Sequence, residues 1–99
     1  MGFDEKVWEQ MAKIPKGRVT TYSEIARALG KPKAVRAVGN ACGKNPYAPK
    51  VPCHRVVAGD GKIGGYSGGL GKKIILLKKE GIKVSKGKVI DFGEKVFRF

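Results

Sequence analysis

Apolar residues return at helical spacing over Phe3, Val7, Trp8, Met11 and Ile14, which predicts a first helix ending near Ile14-Pro15. Lys16-Gly17 breaks the pattern as a turn, and Arg18-Val19-Thr20 reads as a short extended piece. Thr21-Tyr22-Ser23-Glu24 has capping-box spacing, with Thr21 as N-cap and Glu24 reaching back. A second helix then carries Ile25, Ala26 and Leu29, and Gly30 is placed to end it. Pro32 suits the first turn of a third helix running to about Cys42-Gly43. Two short helices joined by a tight glycine-containing turn make a helix-turn-helix candidate. From Gly43 to Pro52 three X-Pro pairs (Asn45-Pro46, Ala48-Pro49 and Val51-Pro52) force extended or turn backbone. Arg55-Val56-Val57-Ala58 reads as a strand closed by a Gly59-Asp60-Gly61 turn. Leu70, Ile74 and Leu77 mark a last helix stopping at Gly81. The tail from Ile82 to Phe99 alternates weakly and reads as a hairpin or a packed extended segment.

Ninety-nine residues make one domain with one core. Charge changes the picture most: 21 Lys and Arg stand against 8 Asp and Glu, a net +13. That excess implies a polyanionic partner, nucleic acid ahead of anionic membrane. No apolar run approaches the length of a membrane-spanning helix, and Gly2-Phe3-Asp4-Glu5 does not read as a signal peptide, so no membrane partner is expected. Two cysteines suit a reducing, intracellular compartment. Lysines outnumber arginines, which fits phosphate contact better than bidentate base reading.

Candidate chemistry concentrates at Pro52-Cys53-His54-Arg55-Val56-Val57. Cysteine is the most nucleophilic side chain at neutral pH once part of it is thiolate. His54 and Arg55 supply charge that favours the thiolate, and a Cys42–Cys53 disulfide would silence it. In extended backbone, neighbouring side chains point to opposite faces, so His54 would act as base on Cys53 through a bridging water. Glu80 is one candidate to orient His54, and is otherwise a surface glutamate. The third helix carries small residues, Ala34, Ala37, Val38, Ala41 and Cys42, near Lys33 and Arg36. They suit a helix pressed into a narrow groove of DNA, with one long side chain intruding. Tyr22 is equally readable as a core tyrosine or a hydroxyl donor. The GxGxxG match at Gly59 to Gly64 lacks a βαβ context, the Walker pattern fails at Tyr66 and Lys73, and no zinc-ligand spacing is present.

The residues so singled out resemble the O6-alkylguanine-DNA alkyltransferases, also called methylated-DNA–protein-cysteine methyltransferases. The resemblance covers 3–81 and leaves 82–99 as a C-terminal tail. It is carried by Val7-Trp8, Ile14-Pro15-Lys16-Gly17, Thr21-Tyr22, Arg36-Ala37-Val38-Gly39, Asn45-Pro46, the hexapeptide at Cys53, Gly65-Tyr66-Ser67-Gly68-Gly69-Leu70 and Lys79-Glu80-Gly81. It implies a mainly α, winged-helix-like small domain with a helix-turn-helix and short β-segments. That is the family's C-terminal type over 1–99, with its N-terminal α/β domain absent and neither zinc nor cofactor expected.

The implied activity is DNA repair by single-turnover transfer of an alkyl (methyl) group from O6-alkylguanine in double-stranded DNA to Cys53, with the base flipped from the minor groove. By resemblance, His54 takes the thiol proton through a water, Glu80 supports His54, and Asn45 holds the active-site hinge. Tyr22 assists flipping and protonates the leaving guanine, and Arg36 fills the gap in the stack. Backbone at Cys53 and Val56 would bind the flipped base, with Tyr66 and Ser67 lining the alkyl side. Cys42-Gly43 departs from the larger apolar and basic residues usual there. Single-domain relatives, the alkyltransferase-like proteins, usually replace the cysteine, often with tryptophan, and bind lesions without repairing them. A lesion sensor with little or no transfer is therefore the alternative. A monomer is expected, able to cluster on DNA, in the cytoplasm with the nucleoid or in a eukaryotic nucleus. The whole reading needs a Cys53 sulfur that solvent can reach.

Overall fold

The computed structural model describes residues 2–64, 66 and 69–99. In chain order the elements are α1 (Phe3–Met11), β1 (Thr20–Thr21), α2 (Tyr22–Ala28), α3 (Val35–Gly43), a 3₁₀ turn at Cys53–Arg55, β2 (Val56–Val57), α4 (Leu70–Lys79), β3 (Val84–Ser85), β4 (Lys88–Val89) and α5 (Phe92–Lys95). The domain is mainly α with short β-segments, as the family resemblance implies.

Helix α1 buries Val7 and Met11 and stops one turn before its apolar spacing does. The last turn tightens, with Lys13 N–H donating to the Gln10 carbonyl and Ile14 N–H to that of Met11. Ile14 is still buried, so the spacing outlives the helix. At α2 the Thr21 hydroxyl accepts from the Glu24 N–H at 3.1 Å, as predicted. The other half of the capping box does not form. The Glu24 carboxylate turns to Arg98 at 3.1 Å and Arg27 at 3.3 Å, which outbid a backbone amide for a nearly buried charge. Gly30, at φ 74°, ends α2 in a Schellman turn, with Lys31 N–H reaching the Ala26 carbonyl at 2.9 Å. Pro32 does not enter α3. It lies in a turn closed by Ala34 N–H on the Lys31 carbonyl, and α3 begins at Val35. Helix α3 packs on both α1 and α2, completing the helix-turn-helix.

Two cores share one strand pair. Strands β1 and β2 run parallel, Thr20 opposite Val56 and Thr21 opposite Val57. Alternation along β2 puts Val56 in a first cluster with Val7, Met11, Ile25, Val38 and Cys53, and Val57 in a second with Val19, Ile63, Leu77, Ile82 and Val89. The tail is both things its sequence allowed. Residues 84–89 form the hairpin β3–β4, whose turn residues Lys86 and Gly87 have φ of 52° and 76°. Beyond α5, Val96 pairs with Val19, and Arg18 donates to the Lys95 and Val96 carbonyls, strapping the tail across β1. No described helix is long and apolar enough to cross a membrane.

Candidate active site

Cys53 opens the 3₁₀ turn, where Arg55 N–H closes on the Pro52 carbonyl. Its own N–H donates to the Val51 carbonyl at 2.9 Å, and Asn45 Nδ2 donates to the same carbonyl at 2.7 Å. Asn45 Oδ1 accepts from Tyr47 N–H at 3.0 Å. One buried amide therefore folds the proline-interrupted loop back on itself and fixes the atom that holds Cys53. The loop delivers Cys53 into the first core, with 4% of its surface exposed. This corrects the expectation of an open sulfur: the stiff loop turns inward at Asn45 where an extended chain would have projected. Both cysteines are free.

The turn also overrides the predicted strand at Arg55, and it separates successive side chains by about a third of a turn, not half. His54 is buried, and its Nε2 lies 3.2 Å from Glu80 Oε2. Glu80 is the C-cap of α4, held there by a Schellman turn in which Ile82 N–H reaches the Leu77 carbonyl and Gly81 takes φ 84°. Arg55 grips the same carboxylate twice, Nε to Oε1 at 2.9 Å and NH2 to Oε2 at 2.6 Å, and its NH1 donates to the Ile14 carbonyl at 2.7 Å. Burial pulls the His54 imidazole below its ordinary value, with Glu80 opposing. Burial alone would raise the Glu80 carboxyl, but the hydrogen bonds from Arg55 and His54 outweigh it and hold the group below the usual carboxylate value. At neutral pH Arg55 answers the Glu80 charge, and a neutral His54 donates Nε2–H. That leaves Nδ1 as the basic nitrogen, with no hydrogen-bond partner among the described residues.

Tyr22 and Tyr66 both pack against the cluster that holds Cys53. Burial, helped by Cys42 and Cys53, pushes the Tyr22 phenol up to about 12, so it is a neutral donor at any physiological pH. Its hydroxyl lies against Gly64, where a Cβ would approach it to 3.3 Å, and Gly64 has φ 66°. Burial and the neighbouring Cys53 likewise raise the Tyr66 phenol. Ser67 lies outside the described residues. Val56 is buried, and its carbonyl accepts from Lys73 Nζ at 2.8 Å.

Lys73 is the site residue that sequence reasoning missed, and Arg55, expected only to lend charge to the thiolate, instead clamps Glu80. Lys73 has no exposed surface, and burial pulls its ammonium down to about 8, although Cys42 and Cys53 favour the charged form. The signal was available: position 73 falls on the stripe of Leu70, Ile74 and Leu77 that predicted α4, where a lysine is out of place unless it has a task.

On α3 the structure separates the predicted DNA-facing residues. Lys33, Arg36 and Ala37 are exposed and Ala34 is partly so. Val38, Ala41 and Cys42 are buried and face the core, which corrects their assignment to a contact surface. Their 38, 41, 42 spacing is the helix's inner stripe. The same period exposes Val35, Asn40 and Gly43, which sequence reasoning does not single out. Cys42 lies with its sulfur 3.5 Å from Met11 Sδ, and burial pushes its thiol up to about 12. A groove of about 730 Å³ beside α1, lined by Phe3, Trp8, Tyr47 and Val51 among others, contains none of the predicted catalytic residues.

The family described as 6-O-methylguanine DNA methyltransferase, DNA binding domain, matches residues 2–82. A probable methylated-DNA–protein-cysteine methyltransferase of Acanthamoeba polyphaga mimivirus is 60% identical over 78 residues, covering 79% of this chain and 52% of the relative. The crystal structure of Mycobacterium tuberculosis OGT in complex with DNA matches with TM-score 0.79 and 47% identity, over 82% of this chain and 49% of that one. The chain thus spans about half the length of both proteins. The crystal structure of S. pombe Atl1 in complex with damaged DNA containing O6-carboxymethylguanine matches end to end, 100% of each chain, with TM-score 0.85 and 31% identity. With the match to 2–82 spanning the helix-turn-helix, the cysteine turn and Glu80, the chain belongs to the 6-O-methylguanine DNA methyltransferase DNA-binding-domain family.

Proposed function

We propose that this chain repairs DNA by moving an alkyl group from O6 of guanine onto Cys53, once per molecule. The observation that carries the reading is the connected set Cys53–His54–Glu80–Arg55: a nucleophile in a fixed turn, followed directly by a neutral imidazole whose tautomer a carboxylate sets. Duplex DNA docks along the exposed face of α3, where Arg36 enters the gap left when the base turns out of the minor groove. The base costs a few kcal/mol to flip, less at a mispaired lesion. Because Cys53 is covered and Tyr66 interacts with it, the entering base must move such neighbours aside to reach the sulfur.

Chemically, the thiol proton passes to His54 Nδ1 through a water as the C–S bond forms and the C–O bond breaks. Guanine leaves with the electron pair and takes up one proton, so the thiol proton is the net gain of the base. Tyr22 donates a hydrogen bond to the departing base, and its high pKa keeps the phenol protonated throughout. The buried Lys73 ammonium is a positive charge beside the sulfur anion that forms. Backbone at Cys53 and Val56 binds the base, with Tyr66 beside it. Nothing among these groups can hydrolyse a thioether, hence one turnover.

Intact-protein mass spectrometry after mixing with methylated duplex tests the reading. The expected result is a mass gain of one methylene, located on Cys53; an unchanged mass overturns it. A second reading, a lesion-binding sensor with slow or no transfer, draws support from the covered sulfur and the end-to-end match to Atl1. It predicts preference for alkylated duplex in gel shift with no mass gain.

A further inference from the structure

The hairpin β3–β4 lies beyond the family match and outside every role assigned above. Its alternation turns Val89 into the second core with Val84 packed against it, and leaves Ser85 and Lys88 outward. Lys83, Lys86 and Lys88 are all exposed, no acidic residue lies between Ile82 and Ile90, and among the described residues none of the three makes an ion pair. Lys62 joins them through its bridge to Lys88, and Asp60, 3.8 Å from Lys62 and within electrostatic reach of Lys88, is one carboxylate beside four lysines. The tip is chemically unusual. Lys86 holds φ 52°, a conformation that glycine or asparagine adopts more easily, so the position carries a charge where the turn alone would favour another residue. The hairpin is also rigidly tied to the wall of the site. Ile63 N–H donates to Gly87 and Val89 N–H to Gly61, and this same loop leads to Gly64 against the Tyr22 hydroxyl.

We propose that this lysine hairpin is a second DNA contact, which grips the phosphate backbone away from the flipped base while α3 occupies the groove. The proposal rests on the reading that the chain binds duplex DNA. Lysines at a polar tip suit phosphates, to which they bind as mobile point charges without reading sequence. An anionic membrane is the poorer fit, because Ser85-Lys86-Gly87-Lys88 offers no apolar side chain to insert.

The test is the salt dependence of duplex binding, followed by fluorescence anisotropy, in the intact chain and in the triple variant Lys83→Gln, Lys86→Gln, Lys88→Gln. Each phosphate contact contributes about 0.9 to the slope of log affinity against log salt. The triple variant should therefore lose roughly 2 to 3 from that slope, while its rate of alkyl transfer from the free base O6-benzylguanine stays unchanged. The Lys→Arg triple should keep the full slope. An unchanged slope in the Gln variant overturns the proposal, and so does an equal loss of transfer from the free base, which would make the hairpin only a support for the pocket. If the intact chain takes up no alkyl group yet the slope falls as expected, the repair reading fails and the hairpin contact stands.

Discussion

Two cysteines lie in the same core, both nearly sealed, at 4% and 7% exposure, and their surroundings could hardly differ more. Cys42 sits on the inner stripe of a helix with its sulfur on a methionine sulfur, and burial drives its thiol to about 12. The Lys73 ammonium offsets only part of that rise, and no histidine adjoins Cys42 in the chain to take its proton. Cys53 shares the buried Lys73 but sits in a turn, followed by a neutral histidine whose basic nitrogen has no partner among the described residues. Burial alone would make both inert. The difference lies in polar company, and that company comes from four separate places in the chain: the 45–52 loop, the turn itself, α4 and its C-cap.

The largest expected effect breaks the pair outright. Cys53→Ala should abolish alkyl uptake, whereas Cys42→Ala should leave uptake near the parent rate and cost about 1 kcal/mol of stability through a small core void. Peptide mapping after reaction with methylated duplex checks this, and any label on Cys42 would undo the contrast. Next comes the carboxylate clamp. Arg55→Leu leaves the Glu80 charge, only 11% exposed, to a neutral histidine. A loss of about 3 kcal/mol in urea unfolding is expected, because an uncompensated charge remains in place. A loss under 1 kcal/mol would mean that solvent screens the pair.

Lys73 is charged company common to both sulfurs, and pH tests what it does for the reacting one. Lys73 is charged below about 8 and neutral above it, so transfer should decline as pH rises through that value. His54 has a depressed pKa, so its basic nitrogen survives down to below 6.5 and is lost as pH falls further. Single-turnover rates from pH 5 to 9.5 should therefore form a bell. Lys73→Met should erase the alkaline limb and slow transfer about tenfold or more, the scale of losing one electrostatic contact in a dry site. Its effect on stability should stay within about 1–2 kcal/mol, since relief of a buried charge is set against a Val56 carbonyl that loses its Lys73 donor. An alkaline limb that persists in Lys73→Met assigns it to another group.

How much of this was legible follows from the same contrast. Periodicity found α1, α2, α4 and the helix-turn-helix because each has an apolar stripe and a clear stop, Gly30 and Gly81 above all. It also held the answer for Val38, Ala41 and Cys42, whose spacing marks an inner face. The small size of these residues points to a contact surface, but their period places them inside. The hexapeptide announced the nucleophile, but no local rule shows that an asparagine eight residues earlier will turn the loop inward. Arg55's hold on Glu80, and Lys73 itself, escape the sequence because charged residues are read as surface by default. Only the fold shows one clamping Glu80 and the other threaded under β2. The Glu24 half of the capping box failed for a similar reason: Arg98, which answers its charge, lies 74 residues away.

The smallest effect separates stability from chemistry. Asn45→Ala and Thr21→Ala each remove a side-chain bond that organises backbone, the first at the Val51 carbonyl, the second at the Glu24 N–H. Each should cost about 1 kcal/mol. If rigidity alone mattered, the two variants would slow transfer equally. But the Val51 carbonyl also accepts from the Cys53 N–H, so losing Asn45 loosens the nucleophile itself, while losing the Thr21 cap frays a helix start whose first residue, Tyr22, is still packed against the core. Asn45→Ala should therefore slow alkyl transfer several-fold more than Thr21→Ala at matched stability, since small misplacements of a reacting atom are costly. Single-turnover rates at a temperature where both variants are fully folded decide it. Equal rates would mean that the turn at Cys53 holds its geometry without the asparagine, and that the polar company on α4 is sufficient by itself.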